Sequence, residues 1–83
     1  MNDVDMDIAR EEGRNNRTVI FTFYSKKDKA VVIREGFPYE IKGDALHYFD
    51  YEKKEAGQIL LKDLKSVRET GNPNTEASYP CSL

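Results

Sequence analysis

Hydrophobic and polar positions alternate along the chain in short runs, and the strongest run is "RTVIFTFYS", residues 17–25. Its β-branched and aromatic side chains suit a pleated, half-buried strand. A period of two puts Val19, Phe21 and Phe23 on one face and Thr18, Ile20, Thr22 and Tyr24 on the other. "SKKDK" is a polar turn of hairpin length and "AVVIREG" a second strand. "FPYEIKG" follows. Pro38 offers no N–H to a ladder, so it belongs at a strand start, an edge or a bend. "KGDA" is a tight turn in which Gly43 can take a positive φ. "LHYFDYE" and "QILLK" are further strands around the turn "KKEAG", and "DLKSVRE" closes with a short turn and a final strand. Five or six strands at a spacing of roughly eight to twelve residues predict a mostly β fold, a small antiparallel SH3-like or Sm-like barrel. Closure disposes of the edges that so small a sheet exposes.

The two ends read differently. Val4, Ile8 and Ala9 share one helical face, Asp3 can cap such a helix, and Asp5 and Asp7 suit its positive end. A helix of ~10 residues is marginal alone and forms only if docked; disorder is the alternative. "TGNPNTEASYPCSL" has no periodicity and reads as a mobile tail. The organisation expected is therefore an N-terminal arm or short helix over 1–16, a β-barrel domain over 17–69 and a disordered C-terminal tail over 70–83.

Composition narrows the classes. The chain has 83 residues, enough for one small domain, and its 39% hydrophobic against 34% charged residues make it globular but polar. Its apolar runs fall far short of the ~20 residues that span a bilayer. The acidic start "MNDVDMDIAREEG" is neither a secretory signal nor a transit peptide, and Cys81 is the single cysteine. Both point to the reducing cytoplasm. The net charge of −2 is unevenly spread: the middle of the chain is mildly basic and both ends are acidic. That balance lacks the plain basic excess of a dedicated nucleic-acid binder.

No catalytic constellation emerges. His47 is the only histidine; it shares a strand face with Ala45 and Phe49, and nothing arranges a nucleophile or carboxylate around it. One His and one distant Cys make no metal site. The reading is a non-enzyme without cofactor or metal. The aromatics are more informative. Phe23 opposes Tyr24 and Tyr48 opposes Phe49 on their strands, and a closed barrel buries one face only. Some aromatics must face outwards. Outward Tyr beside Lys or Arg is the composition of a base-stacking platform, and equally of a protein-binding hot spot. Lys26-Lys27-Asp28-Lys29 is a solvated hairpin tip. Arg34 lies late in a strand next to Gly36 and Pro38, and a planar guanidinium can grip a phosphate in a fork. The plainer role for Arg34 is a cross-strand salt bridge with a residue such as Glu40.

The stretch from Arg17 to Glu69 resembles a WYL domain, a small SH3- or Sm-like barrel of bacterial and phage regulators. The resemblance is carried by "VIFTFYS", by "VVIREGFP", by His47-Tyr48-Phe49 at the tripeptide that names the family, and by "ILLKDLKSV". His47 stands where the family has tryptophan. Gln58 stands where it has an arginine thought to line the ligand site. Arg34, next to Gly36 and Pro38, stands where the resemblance implies ligand-contacting basic residues. The helix-turn-helix domain usually attached to WYL domains has no counterpart in these residues. The stretch is also similar to YolD-like and Sm-like proteins. What the WYL resemblance implies is a regulatory module that recognises single-stranded nucleic acid or a nucleotide-like ligand on a face built from Arg34, Tyr39, Lys42, His47 and Tyr48. The alternative is a phage or plasmid accessory protein that binds and modulates a host protein through its barrel surface. Exposed edges around Pro38 and the β-rich "TVIFTFY" make a homo-oligomer compatible with either.

Overall fold

The computed structural model describes residues 3–83, without the side chain of Asp3, so the capping role expected of that residue lies outside the described residues. Helix α1 (Asp3–Arg14) is followed by five strands, β1 (Arg17–Ser25), β2 (Ala30–Lys42), β3 (Ala45–Asp50), β4 (Glu55–Leu60) and β5 (Leu64–Pro73). A single 3-10 turn, Leu61–Asp63, links β4 to β5. All pairings are antiparallel, in the order β4-β3-β2-β1-β5. The sheet is mostly β and barrel-like, with a seam between its edge strands β4 and β5.

The strand count is five because "AVVIREG" and "FPYEIKG" are one strand. β2 pairs β1 from Ala30 to Gly36, then pairs β3 from Gly36 to Lys42. Pro38 stands in the second half, where β1 no longer flanks the strand, beside a register shift at Tyr39. A missing N–H is tolerated there because no ladder needs it. Gly43 takes φ 63° in the β2–β3 turn, as its place in "KGDA" predicts.

Phe21 and Val19 are fully buried, and with Phe23, Leu46, Tyr48, Ile59, Leu64 and Val67 they form the core. The helix closes this core with Met6 and Ala9, not with the Val4–Ile8–Ala9 stripe expected. Val4 is 64% exposed, and Ile8 only flanks the cluster. The reason lies at Gly13. A Cβ there would stand 2.8 Å from the Pro38 carbonyl oxygen, so the helix can approach β2 closely only on the side that Gly13 shares with Met6 and Ala9. Glu12 is buried on this side and pairs with Arg17 at 3.4 Å.

The segment 70–83 is divided. Residues 70–73 continue β5, and 74–83 run without regular structure as a strap across the outward face of β3 and the far half of β2. Its partners, Tyr51, Phe49 and Tyr39, are distant in sequence, which is why periodicity could not indicate them.

Candidate functional site

At the mouth of the barrel the β1–β2 hairpin and the β3–β4 turn enclose a notch of about 190 Å³. Phe23, Val32 and Tyr48 form its apolar part, and Arg34, Asp50, Lys53 and Glu55 its polar part. Register explains the grouping. Arg34 is the cross-strand partner of Phe21 and so starts from the core face of β2, and Tyr48 lies on that same face of β3.

The Tyr48 ring fits because glycines flank it. A Cβ on Gly36 would come within 2.7 Å of the ring, and one on Gly57 within 3.3 Å. Phe21 and Phe23 meet it edge-on, with centroids 5.1 and 6.3 Å away. Its hydroxyl donates to Asp50 Oδ2 at 3.4 Å. Burial first, and then the Asp50 charge and hydrogen bond, push the phenol well above its ordinary value of 10.0. The sign of the consequence is fixed: an unfolded Tyr48 ionises first, so its contribution to stability is whole below pH 10 and declines as pH rises beyond it. Urea denaturation at pH 9 and pH 11 is expected to show Tyr48→Phe losing less stability between the two than the parent, by up to about 1.4 kcal/mol per pH unit above 10. Equal losses would contradict this environment.

Asp50 is 3% exposed and is the fixed acid of the notch. Its Oδ1 accepts the backbone N–H groups of Glu52 at 2.8 Å and Lys53 at 3.0 Å, which locks the β3–β4 turn. Arg34 faces three carboxylates: Glu52 at 3.2 Å, Asp50 at 3.9 Å and Asp28 at 4.0 Å. Its Nη1 also donates to the Ile33 carbonyl at 2.9 Å. Its acid partners thus come from two turns, and Glu40, the partner expected, instead opposes His47 on the outward face. Lys27 and Lys53 flank the notch, so its charges nearly balance.

The structure brings together only part of the predicted face. Arg34 and Tyr48 share the notch. Tyr39 and His47 lie on the opposite side of the sheet, 6.4 Å apart between ring centroids, in a shallow hollow beside Gln58. Lys42 is exposed at the β2–β3 turn, apart from both. Alternation is the cause: His47 and Tyr48 are neighbours on one strand and point opposite ways. Outward aromatics do exist: the strap covers Tyr39 and Phe49, and Tyr24 stays exposed on the β1–β2 hairpin. Tyr79 stacks on Tyr39 at 4.4 Å and tilts against Phe49, and Tyr51 donates its hydroxyl to Asn74. Sequence reasoning overlooked Asp50 as a site residue. Its signal was the "DYEK" turn, in which an Asp can bond the N–H groups two and three residues on.

Among the described residues no group of three or more His, Cys, Asp or Glu side chains could hold a metal ion. No helix among them is long and apolar enough to cross a membrane.

A small barrel-like β domain with a helix at one end and a charge-balanced notch at its mouth is the class these features define. No family model matches the chain, and a search of curated proteins finds no match. Among solved structures, the fold is similar to part of Proteasome accessory factor B/C (PafBC) of Arthrobacter aurescens, with a TM-score of 0.70 at 14% identity. The match covers 92% of this chain and 13% of that one, so the chain corresponds to a small part of its neighbour. At this identity the likeness is one of fold alone.

Proposed function

We propose that this domain is a non-enzymatic regulatory binding module whose recognition site is the Arg34 notch. The ligand is a nucleic acid or nucleotide-like molecule, held by one anionic group rather than engulfed. The notch is too small for a whole nucleotide; pockets that enclose small molecules are usually about 300 Å³ or more. The observation that carries the reading is the pairing of Arg34 with Glu52, a carboxylate 68% exposed. An exposed ion pair contributes about 0–1 kcal/mol, so a phosphate can take the place of Glu52 at little cost. Asp50 stays, tied by two backbone N–H groups, and keeps the guanidinium aimed into the notch. The resemblance of the sequence to WYL domains supports the reading: it implies ligand-contacting basic residues around Arg34, and Gln58, which stands at the family's other ligand position, also lines the notch.

Fluorescence anisotropy of short labelled single-stranded DNA and RNA, at low and near-physiological salt, tests it. Binding is expected to weaken as salt rises. Arg34→Ala should lose about tenfold or more in affinity, roughly 1.4 kcal/mol, while Glu52→Gln should gain a few-fold. Parent-like affinity in both variants sinks the site. Flat curves for the parent protein remove the nucleic-acid reading.

A second reading, a barrel that docks on a host protein, is favoured by one patch. Val31 is 56% and Ile33 63% exposed, and Tyr24 lies directly across from Val31 on the outward face of the β1–β2 hairpin. Partner binding through this patch would be insensitive to salt.

A further inference from the structure

The strap ends as a bound peptide would. Asn74 is its anchor: it is buried, its N–H donates to the Asn16 carbonyl at 2.7 Å, and its side chain bonds Asn16 and the Ala77 carbonyl. Beyond the surface pair of Glu76 with Lys54, the chain reaches a groove between α1 and the far half of β2. There Tyr79 lies flat on Tyr39, its plane 6° from parallel. Ser82 donates its N–H to the Tyr39 carbonyl at 2.7 Å and its hydroxyl to the same oxygen at 3.2 Å. Leu83 packs against the core cluster, and its carbonyl accepts from Arg14 Nε at 2.8 Å. The Tyr39 carbonyl is open to a visitor because β1 leaves β2 at Gly36 and Tyr39 has no register partner in β3.

An aromatic on an aromatic, a main-chain bond to a free strand edge and an aliphatic side chain in an apolar gap are the contacts of peptide recognition by an extended segment. We infer that this groove is a peptide-binding site, and that it takes the Tyr79–Leu83 segment of a second copy of the chain in exchange for its own. The second copy is the occupant because this segment already makes the groove's main-chain bond, its ring stack and its apolar contact, and none of the three depends on which chain supplies them. The connector Thr75–Ser78 spans at most about 14 Å when extended, so the exchanging copies must sit with their grooves side by side. Reciprocal exchange then closes a two-fold pair with no free strap. In one chain the strap has the advantage of a tether, equivalent to roughly millimolar local concentration, so the closed monomer dominates when the protein is dilute. The inference does not rest on the Arg34 notch, which lies on the other side of the sheet.

Complementation between two full-length variants tests it. Tyr39→Ala removes the groove's platform and leaves a free strap. Tyr79→Ala combined with Ser82→Pro disables the strap and leaves a free groove. Sedimentation velocity of the equimolar mixture is expected to show a dimer at concentrations about tenfold or more below any at which the separate variants or the parent dimerise. A mixture that stays monomeric while both variants keep the parent's circular dichroism overturns the inference, and so does a dimer of equal strength in every sample. If either variant loses its fold, a labelled synthetic peptide of residues 75–83 is titrated onto the parent protein instead. Weak saturable binding that disappears when the peptide carries Tyr79→Ala supports exchange. Equal binding of both peptides, or none at millimolar peptide, overturns it.

Discussion

Tyr48→Ala is expected to destabilise the domain by about 3–5 kcal/mol, a large share of what holds it folded. The ring is almost wholly buried, and it touches Phe21 and Phe23 across the barrel. Removing a large buried aromatic costs about 3–5 kcal/mol, the lost transfer energy plus the cavity left behind. A chain of this length has a total stability of only about 4–12 kcal/mol. The cavity cannot collapse easily, because Gly36 and Gly57 on either side carry no side chain to swing in. Asp50 would also lose its phenol donor and open further to the notch. Urea denaturation followed by circular dichroism checks the outcome. A cooperative transition within about 1 kcal/mol of the parent's would show that the ring is not part of the core. For the same reason Tyr48→Ala is a poor probe of ligand binding, and Arg34→Ala is the informative one.

Gly36→Ala is expected to be nearly as damaging, although it adds one methyl group. The new Cβ would stand 2.6 Å from the Phe49 carbonyl oxygen and 2.7 Å from the Tyr48 ring. The first obstacle is backbone and cannot rotate away. The second is a ring pinned from the other side. Gly36 is also where β2 passes from β1 to β3, paired with Val19 on one side and Asp50 on the other, so neither ladder can shift alone. Overpacking of this kind costs typically 1–3 kcal/mol and more when nothing yields; about 3 kcal/mol is expected here. Thermal unfolding would show it as a fall of roughly 10 °C or more in Tm. An unchanged Tm would mean that β2 and β3 are farther apart at Gly36 than described. Notch binding in the surviving folded fraction should weaken as well, since Tyr48 and Asp50 both shift with β3.

Much of the fold was legible in the sequence. β1 has the residues expected of it because alternation over "RTVIFTFYS" admits one register with three large apolar side chains inward. The helix was legible as an amphipathic possibility, but its buried stripe was not. With so few apolar residues, several faces are comparable locally, and the close approach at Gly13 selects Met6 and Ala9. Of the candidate site, Arg34 is singled out by the WYL resemblance, which implies a basic ligand contact beside Gly36 and Pro38. Asp50 left only the local signal of its turn, because its role depends on Arg34 being brought beside it from β2.

By itself the sequence determined the class of fold, the hairpin connections and the surplus of aromatic side chains, because period-two patterning and turn chemistry are local. Only the tertiary structure decided how that surplus is used. It sends Tyr48 into the core, covers Tyr39 with Tyr79 of the strap, and sets Arg34 among acids drawn from two turns. Each outcome is a contact between residues far apart in the chain. Such contacts follow from the hand-over of β2 from β1 to β3 and from the path of the strap, and neither leaves a periodic trace.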